Sequence, residues 1–180
     1  PDGIAVLNGD DDKLCDKKVV NGKPAVFYGI EKVAKVAETE EGTKTLAEKT
    51  VYATNVEAVD LTGTKAAIHY PSKETGGEVT MEVTIPIAGE HNVYNALAAI
   101  AVSLENGISM DAIRVGLAHF TGTNRRFEKK GEVNGFTIID DYAHHPHEIE
   151  ATLKTAQNYP HKTLWCIFQP HTYTRTKAFL

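Results

Sequence analysis

Between residues 79 and 104 the hydrophobic period changes from two to about 3.6, so one kind of secondary structure cannot serve both halves. Val79, Met81, Val83, Ile85 and Ile87 alternate with Thr80, Glu82, Thr84 and Pro86, the pattern of a strand with one buried face. Val93, Leu97, Ile100 and Leu104 then recur at helical spacing among small alanines, and Gly107 closes the run. A one-sided strand and a one-sided helix bury their apolar faces against each other, which points to the α/β class.

The remaining elements extend this pattern. Ile68 and Tyr70 alternate as well, and residues 71–77 supply turn residues, so residues 50–87 are expected to be an antiparallel section. Upstream, the apolar runs at residues 4–7 and 24–28 flank a segment long enough for one short helix, so residues 1–30 read as a βαβ unit. The acidic run Asp10, Asp11 and Asp12 is expected to cap that helix, with metal binding as its rival reading. Downstream, Ser109 opens a second helix whose stripe is Met110, Ile113, Leu117 and Phe120. Residues 121–124 read as a loop and as the boundary between domains 1–124 and 125–180. Asn134-Gly135 between two apolar runs is a strong hairpin signal.

Composition excludes several classes of function. A net charge of −5 at pH 7 gives no general attraction to nucleic acid or anionic membrane. Cys15 and Cys166 lie in unrelated segments, so reduced thiols in a cytoplasmic protein are expected rather than a disulfide framework. No run approaches the roughly 20 apolar residues of a membrane span. Pro1 stands where Met would begin a chain, and the helix-like pattern at residues 178–180 stops at the last residue. The chain is therefore expected to belong to something longer.

The most chemically loaded stretch is residues 138–149, where Asp140, Asp141, Tyr142, His144, His145 and His147 follow a short apolar run and precede Pro146. Pro suits a first helical position because it has no N–H to leave unpaired there. The stretch reads as strand, polar turn, helix, and in open α/β sheets such turns hold ligands. Residues 163–168 read as a further buried strand, which completes a βαβ unit. Parallel strands end on one edge, so Tyr142 and His144 are expected to converge with His171 and Arg175. Together they form a pocket suited to a small zwitterion, with the guanidinium taking a carboxylate. Consecutive histidines on a turn diverge, and neither HExxH nor HxH is present, which argues against a metal site. Asn92 and Asn95, three apart, either read the edge of a purine or cap their helix. Arg125 and Arg126 are either solvated charges or, beside a nucleotide, a clamp for phosphate oxygens.

Four ordered motifs, GEHNVYNALAAIAV (89–102), FTGTNRRFEKKG (120–131), IIDDYAHHPHEI (138–149) and FQPHTYTRT (168–176), together resemble the Mur ligases of peptidoglycan synthesis. The resemblance is strong over residues 89–180 and looser over 1–87. It implies the later part of a central P-loop-type ATPase domain, followed by the first βαβ portion of a Rossmann-like C-terminal domain. It also implies ATP-dependent amide formation, in which the carboxylate of UDP-N-acetylmuramate is phosphorylated and the amine of L-alanine attacks the acyl phosphate. Asn92 and Asn95 would then contact the adenine, Arg126 the phosphates and Asp141 the ribose side. Arg126, Asp141 and His144 would be the catalytic set, and Tyr142, His144, His171 and Arg175 the alanine pocket. Thr172 stands where many members carry Arg, which leaves Arg175 to take the alanine carboxylate. No G-x-x-G-K-[ST] loop occurs in the 180 residues, so the Mg2+ ligands are expected upstream and the chain alone is expected to be inactive. The alternatives are a ligase that recycles murein peptides onto the same acceptor, and a non-catalytic nucleotide-binding module.

Overall fold

The computed structural model describes the chain except for residues 1, 2, 34, 35, 40, 41, 60, 62, 73, 74, 171, 179 and 180 and the side chain of Arg175. A five-stranded sheet runs β1 (Val6–Asn8), β4 (Val26–Ile30), β7 (Val51–Val59), β8 (Gly63–Pro71) and β9 (Glu78–Ile85). The first three strands are parallel and the last three antiparallel. The expected antiparallel section is therefore present. The register sets Ala53 opposite Ile68 and Ile68 opposite Met81, so these apolar residues share one face, while Tyr52, His69 and Thr80 share the other.

The connection from β1 to β4 departs from the expected helix. Residues 9–16 form turns, and Asp11 Oδ1 accepts hydrogen bonds from the backbone N–H groups of Lys13 and Leu14. A two-residue-strand hairpin, β2 (Val19–Val20) with β3 (Lys23–Pro24), follows around Asn21 and Gly22, both at positive φ. Cys15 is the one residue of 11–18 in the core, so the segment has no apolar stripe to dock as a helix. Asp11 caps a turn, but Asp10 reaches into the interior and pairs with Lys49. A further hairpin, β5 (Val36–Thr39) with β6 (Gly42–Thr45), precedes β7.

Helix α1 (Glu90–Glu105) lies on the apolar face of the sheet, and Val93, Leu97 and Ile100 have no exposed surface. Gly107 at φ +77 ends it: Ile108 N donates to Ser103 O and Gly107 N to Leu104 O. Ser109 then accepts from Ala112 N and caps α2 (Met110–Ala118), as its position in the sequence implies. Met110 and Ile113 are buried and Leu117 packs against them. Phe120 lies beyond the end of α2 and is 44% exposed, so it is not part of the core stripe.

The second part begins with the antiparallel hairpin β10 (Glu128–Val133) and β11 (Phe136–Asp140). Asn134 (φ +50) and Gly135 (φ +80) form its turn. Helix α3 (Pro146–Gln157) has His145 as N-cap and Pro146 at its start. The expected strand at 163–168 does not form: the segment has no ladder partner among the described residues, Trp165 is 78% exposed and Ile167 99%. Apolarity alone does not make a strand; a ladder partner is required, and among the described residues β11 pairs only with β10. The expected βαβ unit is thus represented by its first strand and its helix. A short α4 (Tyr173–Ala178) follows. No helix among the described residues is long and apolar enough to cross a membrane.

Candidate functional site

A cavity of about 750 Å³ opens where the first turn of α1, the end of α2 and the start of α3 meet. Ile87, Ala96, Ala99, Leu117 and Phe120 supply apolar walls, and Asn92, Asn95, His91, Arg126, Asp141 and Glu148 supply polar groups. Four residues singled out from the sequence, Asn92, Asn95, Arg126 and Asp141, are therefore brought to one cavity from three separate segments.

On α1, the amides form a chain rather than a helix cap. Asn92 Nδ2 donates to Ala88 O at 2.7 Å, and Asn95 Nδ2 donates to Asn92 Oδ1 at 3.2 Å. The N-cap is Gly89, which offers no side chain. Gly89 is required twice over: its φ is +102, and a Cβ there would lie 2.6 Å from the His91 ring and 2.8 Å from Thr155 Oγ1 of α3. The close approach of α1 to α3 thus depends on this glycine.

The loop that carries Arg126 is held by its backbone. Arg125 (φ +60) and Phe127 (φ +47) both occupy the left-handed region, which is costly for residues with side chains. Every N–H of the tripeptide is satisfied: Arg125 N donates to Glu128 Oε2, Arg126 N to Thr123 O and Phe127 N to Asp141 Oδ2. Phe127 is buried and anchors the loop against the Tyr159 ring. Asp141 accepts from Ala143 N through its other oxygen, so one carboxylate ties the Arg126 loop to the turn after β11. The Arg126 side chain is half exposed, and its carboxylate partner Glu148 stands at 3.9 Å, so the guanidinium is able to meet an incoming anion.

Glu148 closes the N-terminus of α3. Its Oε2 accepts from the N–H groups of both His144 and His145, at 3.1 Å each. The hydrogen bond from His144 N, then that from His145 N and the nearby cations, hold its carboxyl below the usual glutamate range against the opposing effect of burial. Burial lowers the pKa of His91, and Arg126 adds to the effect while Asp141 and Glu90 oppose it.

Tyr142 and His144 do not line the cavity. Tyr142 lies under the Arg125 guanidinium, with Cζ 4.8 Å from the ring centroid, and meets the His144 ring edge-on at 5.2 Å. His171 and the side chain of Arg175 lie outside the described residues. The expected four-residue pocket is therefore seen through Tyr142 and His144. Among the described residues no group of three His, Cys, Asp or Glu side chains is arranged to hold a metal ion.

Sequence reasoning missed His91 and the Asp10–Lys49 pair. His91 stands one turn before Asn95, so spacing alone carried a signal for it. Nothing local marks Lys49, since its burial is decided by segments distant in the chain.

Residues 1–103 match the family model described as the Mur ligase middle domain, and residues 125–180 match that of the Mur ligase glutamate ligase domain. A UDP-N-acetylmuramate--L-alanine ligase of Agathobacter rectalis is 42% identical over 180 residues, which is 99% of this chain and 34% of that protein. The enzyme of the same name from Lachnospira eligens is 58% identical over 101 residues, 56% of this chain and 22% of that protein. The chain thus spans 34% and 22% of the length of these two curated relatives. Among solved structures, MurF from Acinetobacter baumannii superposes with a TM-score of 0.68 at 26% identity, covering 89% of this chain and 30% of that one. With these matches along nearly its whole length, the chain belongs to the Mur ligase family.

Proposed function

We propose that the chain is the nucleotide- and amino-acid-facing portion of an ATP-dependent ligase that joins L-alanine to UDP-N-acetylmuramate in the cytoplasm. The observation that carries this reading is the cavity in which Asn92, Asn95, Arg126 and Asp141 meet. Its apolar walls suit the flat face of a purine. Asn95 keeps Oδ1 and one amide hydrogen without a partner among the described residues, and these suit an adenine edge. The donor set therefore fits the nucleotide. It does not fit Mg2+: both oxygens of Asp141 accept backbone N–H groups, and Glu148 is engaged by two more and faces Arg126. The ligands of the metal are expected in other parts of the enzyme.

In this reading ATP gives its γ-phosphoryl group to the muramyl carboxylate and ADP leaves. The alanine amine then attacks the acyl carbon and phosphate departs, leaving the amide. Negative charge gathers around the moving phosphoryl group, and the Arg126 guanidinium, fixed by its loop, offsets it. Asp141 holds that loop to the turn carrying Tyr142 and His144, beside the ribose. Tyr142, His144 and His171 position the amine, and Arg175 takes the alanine carboxylate.

In the complete enzyme, Arg126→Ala is expected to lower kcat about 100-fold or more while the KM for UDP-N-acetylmuramate changes little. Equal losses in both parameters would overturn the phosphate role. The purified 180-residue chain is expected to release no phosphate in response to L-alanine, and release would show that the other parts are dispensable. Replacing L-alanine by a tripeptide in the complete enzyme separates this reading from a peptide-recycling ligase, and a complete protein that turns over neither amine would be a binding module.

A further inference from the structure

The two adjacent arginines have different tasks. Arg126 lines the cavity, whereas Arg125 does not. Arg125 instead makes three connections toward the turn after β11. Its carbonyl accepts from Tyr142 N at 2.8 Å, its guanidinium lies over the Tyr142 ring, and its Nε is 3.5 Å from Asp140 Oδ2. The backbone here is over-determined, with left-handed φ at residues 125 and 127 and a hydrogen bond on each N–H of the tripeptide. A chain held in this way has little freedom to tilt one arginine without the other.

We propose that Arg125 is a positioning residue that fixes the Tyr142 ring relative to Arg126, so that one rigid tripeptide sets the amino-acid pocket and the nucleotide cavity together. This rests on the reading above that Tyr142 borders the alanine site. The side-chain type follows from the geometry. A planar guanidinium stacks on a ring and reaches Asp140 at the same time, while a lysine ammonium, a compact charge on a flexible stem, does not hold both contacts in one orientation. A solvated charge would have neither requirement.

The test uses the complete enzyme and the variants Arg125→Gly, Arg125→Lys, Tyr142→Leu and the double variant Arg125→Gly/Tyr142→Leu. Glycine accepts a positive φ, so Arg125→Gly removes the side chain without adding backbone strain. Arg125→Gly is expected to raise the KM for L-alanine about 5- to 10-fold, with the KM for ATP and the Tm little changed. Arg125→Lys should fall between it and the parent. The double variant should be no worse than Tyr142→Leu alone, because both act on one contact. Equal rises in the KM for L-alanine and ATP, additive effects in the double variant, or a silent Arg125→Gly beside a damaging Tyr142→Leu would each overturn the proposal. If Tyr142→Leu itself leaves the KM for L-alanine unchanged, the placing of Tyr142 at the amino-acid site falls, and the positioning role falls with it. Which variant is silent tells the two failures apart.

Discussion

Lys49 and Arg126 are both cations facing a carboxylate, but their surroundings are opposite. The Lys49 side chain has no exposed surface, and its Nζ lies 2.6 Å from Asp10 Oδ1, itself 9% exposed. The other Asp10 oxygen accepts from Ile30 N at 2.9 Å and from the Tyr94 hydroxyl at 3.0 Å. Burial and the Asp10 charge push the Tyr94 phenol well above its usual range, so it stays a donor. Arg126 is half exposed, with Glu148 at 3.9 Å. The first pair uses its charges to tie β1, β4, α1 and the approach to β7 together. The second leaves its cation available to a ligand. A charge that holds the fold is thus enclosed, and one proposed to meet a substrate is held by its backbone and left open.

This contrast is open to experiment. Lys49→Met should have the largest effect, a loss of about 3–5 kcal/mol in urea unfolding, because it strands a buried carboxylate. Adding Asp10→Asn should restore part of that loss, and strict additivity would show that the pair is not coupled. Next comes Gly29→Ala. A Cβ at residue 29 would run into the Asp10 carboxylate and the Lys49 stem, so a cost of about 1–3 kcal/mol is expected by the same measurement. Glu148→Gln weakens the cap of α3 and should cost about 1 kcal/mol or less, since Glu148 is 37% exposed and screened. Its sign with pH is fixed. The folded-state pKa lies below the unfolded value of about 4.3, so the contribution of Glu148 is full above that value and is lost as pH falls through the folded one. The difference in Tm between parent and Glu148→Gln should therefore shrink on acidification below about pH 4. Arg126→Ala is expected to change stability least, by less than about 0.5 kcal/mol, while kcat collapses. A large stability loss there would erase the distinction between the two cations.

Much of the site was legible because its parts are local. The hairpin needed only Asn134-Gly135, the start of α3 only Pro146 and its flanking polar residues, and α1 only its apolar spacing and Gly107. Asn92 and Asn95 were found by their spacing, though capping was the wrong structural alternative: their amides reach Ala88 O and each other, and none binds the orphan N–H groups of the helix. Reading failed where partners were remote. Residues 163–168 carry strand composition but pair with no strand among the described residues, and residues 11–18 lack an apolar stripe to make a crossover helix.

Periodicity, caps and turn residues by themselves determined the α/β class, the α1–α2 hairpin, the strand-turn-helix at residues 136–157 and the family resemblance, because each depends on side chains within a few positions of one another. Only the tertiary structure decided that Lys49 is a buried counter-ion, that Arg126 lines the cavity while Arg125 lies over Tyr142, and that α1 and α3 approach closely at Gly89 beside that cavity. Those outcomes depend on desolvation and on contacts between segments tens of residues apart, which no local pattern encodes.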